Sequence, residues 1–475
     1  MQGALRALWC ARLMARASRL PLSGRAIARG AITALALAVS SQVQAEPLTL
    51  SPAQMLDAAN RLVLVQRPTE ALALTQALIA RDPSDFSALL TASYAARDSG
   101  AFDQAESFGK RAWEAAQTSE QRYNAALAVA QAQASRERRS SAQLWLRRAV
   151  QEAPDQNARN RAIRDYRYVR ARNPWSYDLS IAVAPSDNLN AGTSTQVWDL
   201  GPILLPVPAE MQALSGVSST VSGSIALTIR EESNRRDRIG VLAARREVRL
   251  SSKARASAPH LRSSDFSFQH LEGFYERAQR FSFGEITSRA SLGQSRYGGA
   301  KLADFGRLSL DWERPLGDAK RGGIFGATLG LERELRRDNA TRSADTQRLG
   351  LRWGERLGQG HLLASLDWKR IRSDSAAIDR EDLSARVQYA LAKPILGARV
   401  ALWAGLGQTD YDYSPYTGGA RRDLGREFGV SAFLSNRELF GFAPEIAVTW
   451  DENRSDAVLF ERSETAISLR LRSTF

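Results

Sequence analysis

Three histidines, His260, His270 and His361, are the first residues to test for chemistry in this chain of 475 residues. No two stand at i, i+3 or i+4, the spacing that turns two imidazoles toward one zinc ion, so they predict no metal site. His270 lies close to Asp265 and Glu272. Barrel lipases and proteases use histidine with serine or aspartate, but one histidine beside acids is also an ordinary loop hydrogen bond. The chain has no G-x-S-x-G, no P-loop and no glycine-rich dinucleotide turn, and the expectation is a protein that is not an enzyme and holds no cofactor.

The remaining candidates are arginines. Arg348, Arg352, Arg386, Arg470 and Arg472 recur on one face of segments whose other face is apolar. Guanidinium groups lining a wet passage would steer an anionic solute or polypeptide; paired with acids such as Asp367 and Asp451 they would instead brace it.

The elements that carry them have a period of two. In FGRLSLDWERPL, Leu308, Leu310 and Trp312 oppose Arg307, Ser309, Asp311 and Glu313; in TQRLGLRWGERL, Leu349, Leu351 and Trp353 oppose Arg348, Gly350 and Arg352. The final segment repeats this, with Ile467, Leu469 and Leu471 against Ser468, Arg470 and Arg472. Alternation sustained over 300 residues predicts antiparallel strands. A small or charged second face is what a watery lumen tolerates, which turns the apolar face to lipid rather than to a dry core. Trp312, Trp353, Trp368 and Trp450 fall late in their apolar stripes, where an interfacial girdle would sit. Connections at 356–360, 393–397 and 436–441 are short, those at 336–345, 371–380 and 412–423 longer and polar. Counting segments gives about fourteen strands, an even number that returns the C-terminus to its starting side.

Residues 50–172 read differently. They are rich in Ala, Gln, Leu and Arg, and Ala71, Ala105 and Ala142 recur at spacings of 34 and 37, the length of a tetratricopeptide hairpin. The best copy is SGAFDQAESFGKRAWEAA, where Gly100 turns the chain, Phe102 plugs the hairpin, and Ala105 and Ala112 let the helices approach. Roughly three hairpins are expected, either a concave surface for a partner or a helical spacer. Asn173, Pro174 and Trp175 mark the boundary, because proline ends the helical period.

The first 45 residues read as an export signal: arginines without acids, the short apolar run AITALALAV, then VQA before Glu46. That segment holds six arginines and the only cysteine, Cys10, which leaves +8 of the +14 net charge and no thiol in the remainder. Cysteine catalysis, cysteine metal sites and disulfides are thereby excluded there, and a nucleic-acid partner does not suit an exported chain. The organisation expected is α + β: 1–45 signal peptide, 46–173 a periplasmic tetratricopeptide-like helical domain, 174–475 a transmembrane antiparallel β-barrel in outer-membrane lipid.

Signal, helical repeats and a terminal barrel together resemble the surface lipoprotein assembly modifier family of Gram-negative outer membranes. Local echoes are NPWSYDLSIAVAPSDNLNAGT, with Asp187, Asn188 and Asn190, and SRYGG at 295–299. The terminal Phe475 resembles the signal read by the barrel assembly machinery. The resemblance implies a translocator: the helical domain meets a client, a surface lipoprotein or a secreted haem- or metal-acquisition protein, and the barrel passes it outward. Rival classes are a porin, an exopolysaccharide export channel, and a scaffold anchored by its barrel. PILLPVPAEM, residues 202–211, is either an outer loop over the pore or a rigid connector.

Overall fold

The computed structural model describes residues 50–199, 204–317 and 322–474. The expected signal peptide, Cys10, Pro202, Ile203 and Phe475 lie outside the described residues.

Seven helices come first: α1 (Pro52–Leu64), α2 (Pro68–Arg81), α3 (Phe86–Asp98), α4 (Phe102–Ala115), α5 (Ser119–Ser135), α6 (Arg139–Glu152) and α7 (Gln156–Arg172). They form three hairpins and a closing helix. The first helix of each hairpin begins on a side-chain cap: Ser51 and Thr118 make reciprocal capping boxes with Gln54 and Gln121, and Asp85 accepts from the Ala88 N–H. The second helix of each hairpin has no side-chain cap. It follows instead a residue in the left-handed region, at Gln66 (φ 60°), Gly100 (φ 83°) and Glu137 (φ 62°). These turn residues recur at the same 34 and 37 spacing as Ala71, Ala105 and Ala142, each with 0% exposure. The single methyl group at these alanines is what lets paired helices close. Phe102 is half-buried and belongs to no core cluster; the aromatics packed against the α2–α4 core are Phe86, Phe108 and Trp113. A second core gathers Tyr123, Val129, Trp145, Leu146, Val150 and Tyr166 from α5, α6 and α7.

Helix α7 stops at Arg172, and Pro174 leads directly into β1 (Trp175–Ser186). After a loop containing the two-strand hairpin β2 (Val197–Asp199) and β3 (Leu204–Pro206) come β4 (Gly216–Glu231), β5 (Arg235–Leu250), the short α8 (Ser252–Ser257), β6 (Phe268–Phe281), β7 (Gly284–Tyr297), β8 (Ala300–Leu316) and β9 (Gly323–Arg336). Then follow β10 (Ala344–Leu357), β11 (Gly360–Ser373), β12 (Arg380–Leu391), β13 (Arg399–Ser414), β14 (Gly419–Phe433), β15 (Phe442–Ser455) and β16 (Arg462–Ser473). Apart from β2 and β3, every strand pairs antiparallel with its sequence neighbours, and β1 pairs with β16 to close a barrel of fourteen strands.

The two faces separate as the alternation requires. Outside, register places Leu310, Leu329, Leu349, Trp368 and Leu383 side by side across five strands, and Leu402, Val430, Val448 and Ile467 across four more. The leucines of the first ridge stay about half exposed, between 47% and 50%. Trp312 and Trp353 sit toward the end of the barrel that carries the helices, the near end, whereas Trp368 and Trp450 sit toward the far end. The outward tryptophans thus mark two levels.

The loop lengths correct the sequence expectation in part. Of the far-end connections only 187–215 and 251–267 are long; the segment at 412–423 is mostly strand, with β13 and β14 joined by residues 415–418. SRYGG ends in a tight two-residue turn at Gly298 and Gly299, both at positive φ. Conversely, the near-end connection between β14 and β15 runs eight residues and ends in a tight turn in which Leu439 and Phe442 exchange both backbone bonds around Phe440 (φ 50°) and Gly441 (φ 77°). Positive φ at both central positions is the type I′ geometry that matches strand twist.

Candidate functional site

The inward face of the barrel is built from small and charged residues whose positions follow from register. One row across it reads Glu313, Gly326, Arg352, Ser365, Arg386, Gly405, Glu427, taken strand by strand from β8 to β14. It is a mirror about Ser365. Each arginine turns away from the serine, crosses the glycine beside it and reaches a glutamate: Arg352 Nη2 donates to Glu313 Oε2 at 2.7 Å, and Arg386 Nη1 to Glu427 Oε2 at 3.4 Å. A Cβ on Gly326 would stand 2.8 Å from Arg352 Nε, so only glycine leaves room for that crossing. These pairs keep substantial exposure, and contacts of that kind contribute at most about 1 kcal/mol each, so they shape the lumen more than they stabilise the wall.

The other sequence candidates also face inward. Arg348 pairs with Asp367, and Arg472 with Glu445. Arg470 lies opposite Glu445 in register, among the residues lining the near mouth. Phe475 is outside the described residues. His270 donates or accepts at 3.3 Å from Glu272 and stacks on Phe305 at 5.0 Å, while Glu272 also accepts from Arg307. Asp265 instead accepts from the Arg262 N–H. His270 and Glu272 brace the wall, and although Ser295 lies opposite His270 in register, no hydrogen bond joins the two among the described residues. No cluster of metal-ligating side chains occurs among the described residues.

The two long loops pack together at the far end. Leu189 and Leu214 of the first loop pack with Ala254, Ala258 and Phe266 of the second against Val248 and Leu250 of β5. Asn188 holds the first loop closed, its Nδ2 donating to the Gly192 and Ser463 carbonyls, and Asn190 bonds Glu210, Gln212 and Leu214. Asp187 accepts from the Thr465 N–H and so ties the loop to β16. In the described part of the proline-rich segment, Val207 is buried and Ala209 packs on this cluster.

At the near mouth lies a cavity of about 1240 Å³ between α6 and α7 on one side and β1, β4, β5 and β16 on the other. Its roof is pinned to the barrel. Arg147 donates to the carbonyls of Phe440 and Gly441 at 3.1 Å and to Ser473 Oγ at 3.0 Å, and its guanidinium lies 4.6 Å from the Phe442 ring centre. Gln151 Oε1 accepts from the Phe440 N–H at 2.9 Å, and Arg159 pairs with Glu438 at 2.5 Å. Seven arginines line the cavity: 147, 167, 170, 236, 238, 470 and 472, against Asp178 and Glu231. Of these only Arg470 and Arg472 were legible as candidates from strand alternation. The signal for the helical ones is the spacing of Arg161, Arg164, Arg167 and Arg170 at every third residue, a basic stripe along α7.

No family model matches this chain, and no curated protein matches it in sequence. Among solved structures it is similar to OccAB3 of Acinetobacter baumannii (9% identity, TM-score 0.37, covering 62% of this chain and 98% of that one) and to a BenF-like porin from Pseudomonas fluorescens Pf-5 (10%, 0.34, 63% and 98%). An anion-selective porin from Comamonas acidovorans is similar at 11% identity and a TM-score of 0.34, covering 63% of this chain and all of that one. The architecture described above rests on the strand pairing of this chain itself.

Proposed function

We propose that this chain is an outer-membrane channel of the porin class, its barrel embedded in lipid and its helical arm standing in the periplasm over the near mouth. The observation that carries this reading is the apolar outer face of a closed barrel, with ridges running across nine of its strands. Soluble monomers rarely leave contiguous apolar patches beyond a few hundred Å² in water, and each such side chain would gain about 1.5–3 kcal/mol by leaving it. A closed barrel with that outer face pairs nearly all of its backbone groups within its wall, as hydrocarbon demands, the near-end part of the β1–β16 seam excepted. Inside, charged side chains that keep their exposure line a wet passage.

The test is reconstitution of the detergent-purified full chain into planar bilayers. Stepwise conductance is expected, together with a folded band that migrates faster on gels before heating. Protein that stays monodisperse without detergent and inserts no conductance would overturn the reading.

One observation favours a second reading, export of a client protein as in the family the sequence resembles. The helical arm is fastened to the mouth by Arg147, Gln151 and Arg159, which holds a tetratricopeptide-like array where an emerging polypeptide would meet it. Deleting the gene and comparing surface proteins separates the two: loss of particular surface proteins supports export, and an unchanged surface with altered solute uptake supports the porin.

A further inference from the structure

We propose that the cavity beneath α6 and α7 is a binding site for small polyanions, solutes carrying two or more carboxylate or phosphate groups, which it gathers before they enter the lumen. The proposal rests on the channel reading for its direction of travel, but the site itself stands on the cavity alone.

Four of the lining arginines, Arg167 and Arg170 of α7, Arg236 of β5 and Arg470 of β16, form no ion pair among the described residues, and all four are exposed. Deeper in the lumen, by contrast, Arg348, Arg352 and Arg386 each meet an acid. Cations left without partners in a concave space repel one another, and the low-dielectric walls focus their potential into it. An anion relieves that repulsion. Guanidinium forks present parallel N–H groups that match carboxylate and phosphate oxygens two at a time. Because the four come from three elements, one anionic group cannot satisfy them all, and the arrangement suits a ligand with several. The volume, about 1240 Å³, accommodates a small solute with its water rather than a folded domain. Asp178 and Glu231 are the acids at the wall. The arm is fixed in place by Arg147, Gln151 and Arg159, so the site is held open rather than assembled on binding.

The experiment is calorimetric titration of the full chain in neutral detergent with pyrophosphate and with citrate, trehalose serving as the uncharged control. Saturable, salt-weakened binding of both anions is expected and none of trehalose. The double variant Arg170→Ala/Arg470→Ala is expected to weaken binding at least tenfold, with Arg170→Lys/Arg470→Lys recovering part of it. Arg161→Ala, which removes the same charge from α7 outside the cavity, should leave it unchanged. Heat-modified gel migration of every variant verifies the folded barrel. Absence of anion binding, equal binding of trehalose, or equal loss in Arg161→Ala would overturn the proposal. So would binding confined to polyglutamate, which would mark a peptide site, or an Arg170/Arg470-dependent preference for phosphatidylglycerol over phosphatidylcholine nanodiscs without pyrophosphate binding, which would mark a lipid headgroup. Binding without bilayer conductance would sink the channel reading and leave the site; conductance without binding would do the reverse.

Discussion

Ser140 and Arg147 stand two turns apart on α6 and hold opposite sides of the barrel seam. Ser140 Oγ is 3.1 Å from Tyr177 Oη of β1, while Arg147 Nη2 donates to Ser473 Oγ of β16 at 3.0 Å. Between them the seam is incompletely zipped: β1 pairs with β4 from Trp175 to Ser186, but its pairing with β16 begins only at Ile181. Toward the far end the same seam is stapled by Asn188 to the Ser463 carbonyl and by Ser186 to Glu464. One helix thus bridges the part of the wall that strand pairing leaves weakest.

Arg147→Ala removes four donated bonds, the fourth to Tyr166 Oη at 3.0 Å, together with the contacts to the Tyr166 and Phe442 rings. The Phe440 and Gly441 carbonyls return to water, so the loss is that of the interactions themselves, about 2 kcal/mol of docking. Hydrogen exchange should speed up in α6 and α7 while the β10–β13 wall keeps its protection. Unchanged exchange in α6 would show that Gln151 and Arg159 suffice.

The strands were legible because each outward leucine or tryptophan must alternate with a lumen residue, a constraint that leaves its mark every second position from Leu308 to Leu471. Partners were not legible. Nothing in the order of residues says that Arg352 reaches across Gly326 to Glu313, since that depends on the register of three strands. Trp403 illustrates the same limit: it faces inward, unlike the girdle tryptophans, and its Nε1 donates to Glu427 at 2.7 Å. The near-mouth cavity was hidden for a stronger reason, because its arginines come from segments with different periods and meet only when α7 folds back over β5 and β16.

The three hairpin turns offer a controlled comparison of backbone strain. Gly100 at φ 83° has open space around its would-be Cβ, so Gly100→Ala costs conformational strain alone, about 1 kcal/mol. Glu137 occupies the equivalent turn with a side chain, and Glu137→Gly is expected to stabilise the arm by up to about 1 kcal/mol. Thermal loss of the helical circular-dichroism signal checks both, and opposite signs are required.

Acid should loosen the arm through Glu106. Burial alone would raise its pKa, but donation from Lys110 at 2.7 Å and Gln133 at 3.3 Å, with the nearby charges of Lys110 and Arg138, outweighs it and holds the carboxyl below its ordinary value. A depressed folded-state pKa contributes stability that is complete above the unfolded carboxylate pKa and is lost as pH falls through the folded one. Helical signal measured against denaturant should therefore fall away below about pH 4.5, and Glu106→Gln should flatten that limb. An unaltered acid limb in the variant would assign the loss to other carboxylates.

Gly429→Ala tests how tightly the inner wall is packed. The added Cβ would fall 2.0 Å from Trp403 Cζ2, closer than any contact allows, so the indole must swing away. Moving it breaks the Nε1 bond to Glu427 and removes the ring that lies 5.2 Å from the Arg386 guanidinium. Glu427 would then keep only Arg386, whose side chain is 44% exposed. Overpacking of this sort costs about 1–3 kcal/mol. The variant should unfold at lower temperature in detergent with a red-shifted tryptophan emission, while Gly425→Ala, on the same strand with only the Gly407 carbonyl within 4 Å of its would-be Cβ, should match the parent. Equal stability of the two variants would mean that Trp403 has room to spare and that the lumen is wider at β13 than the packing implies.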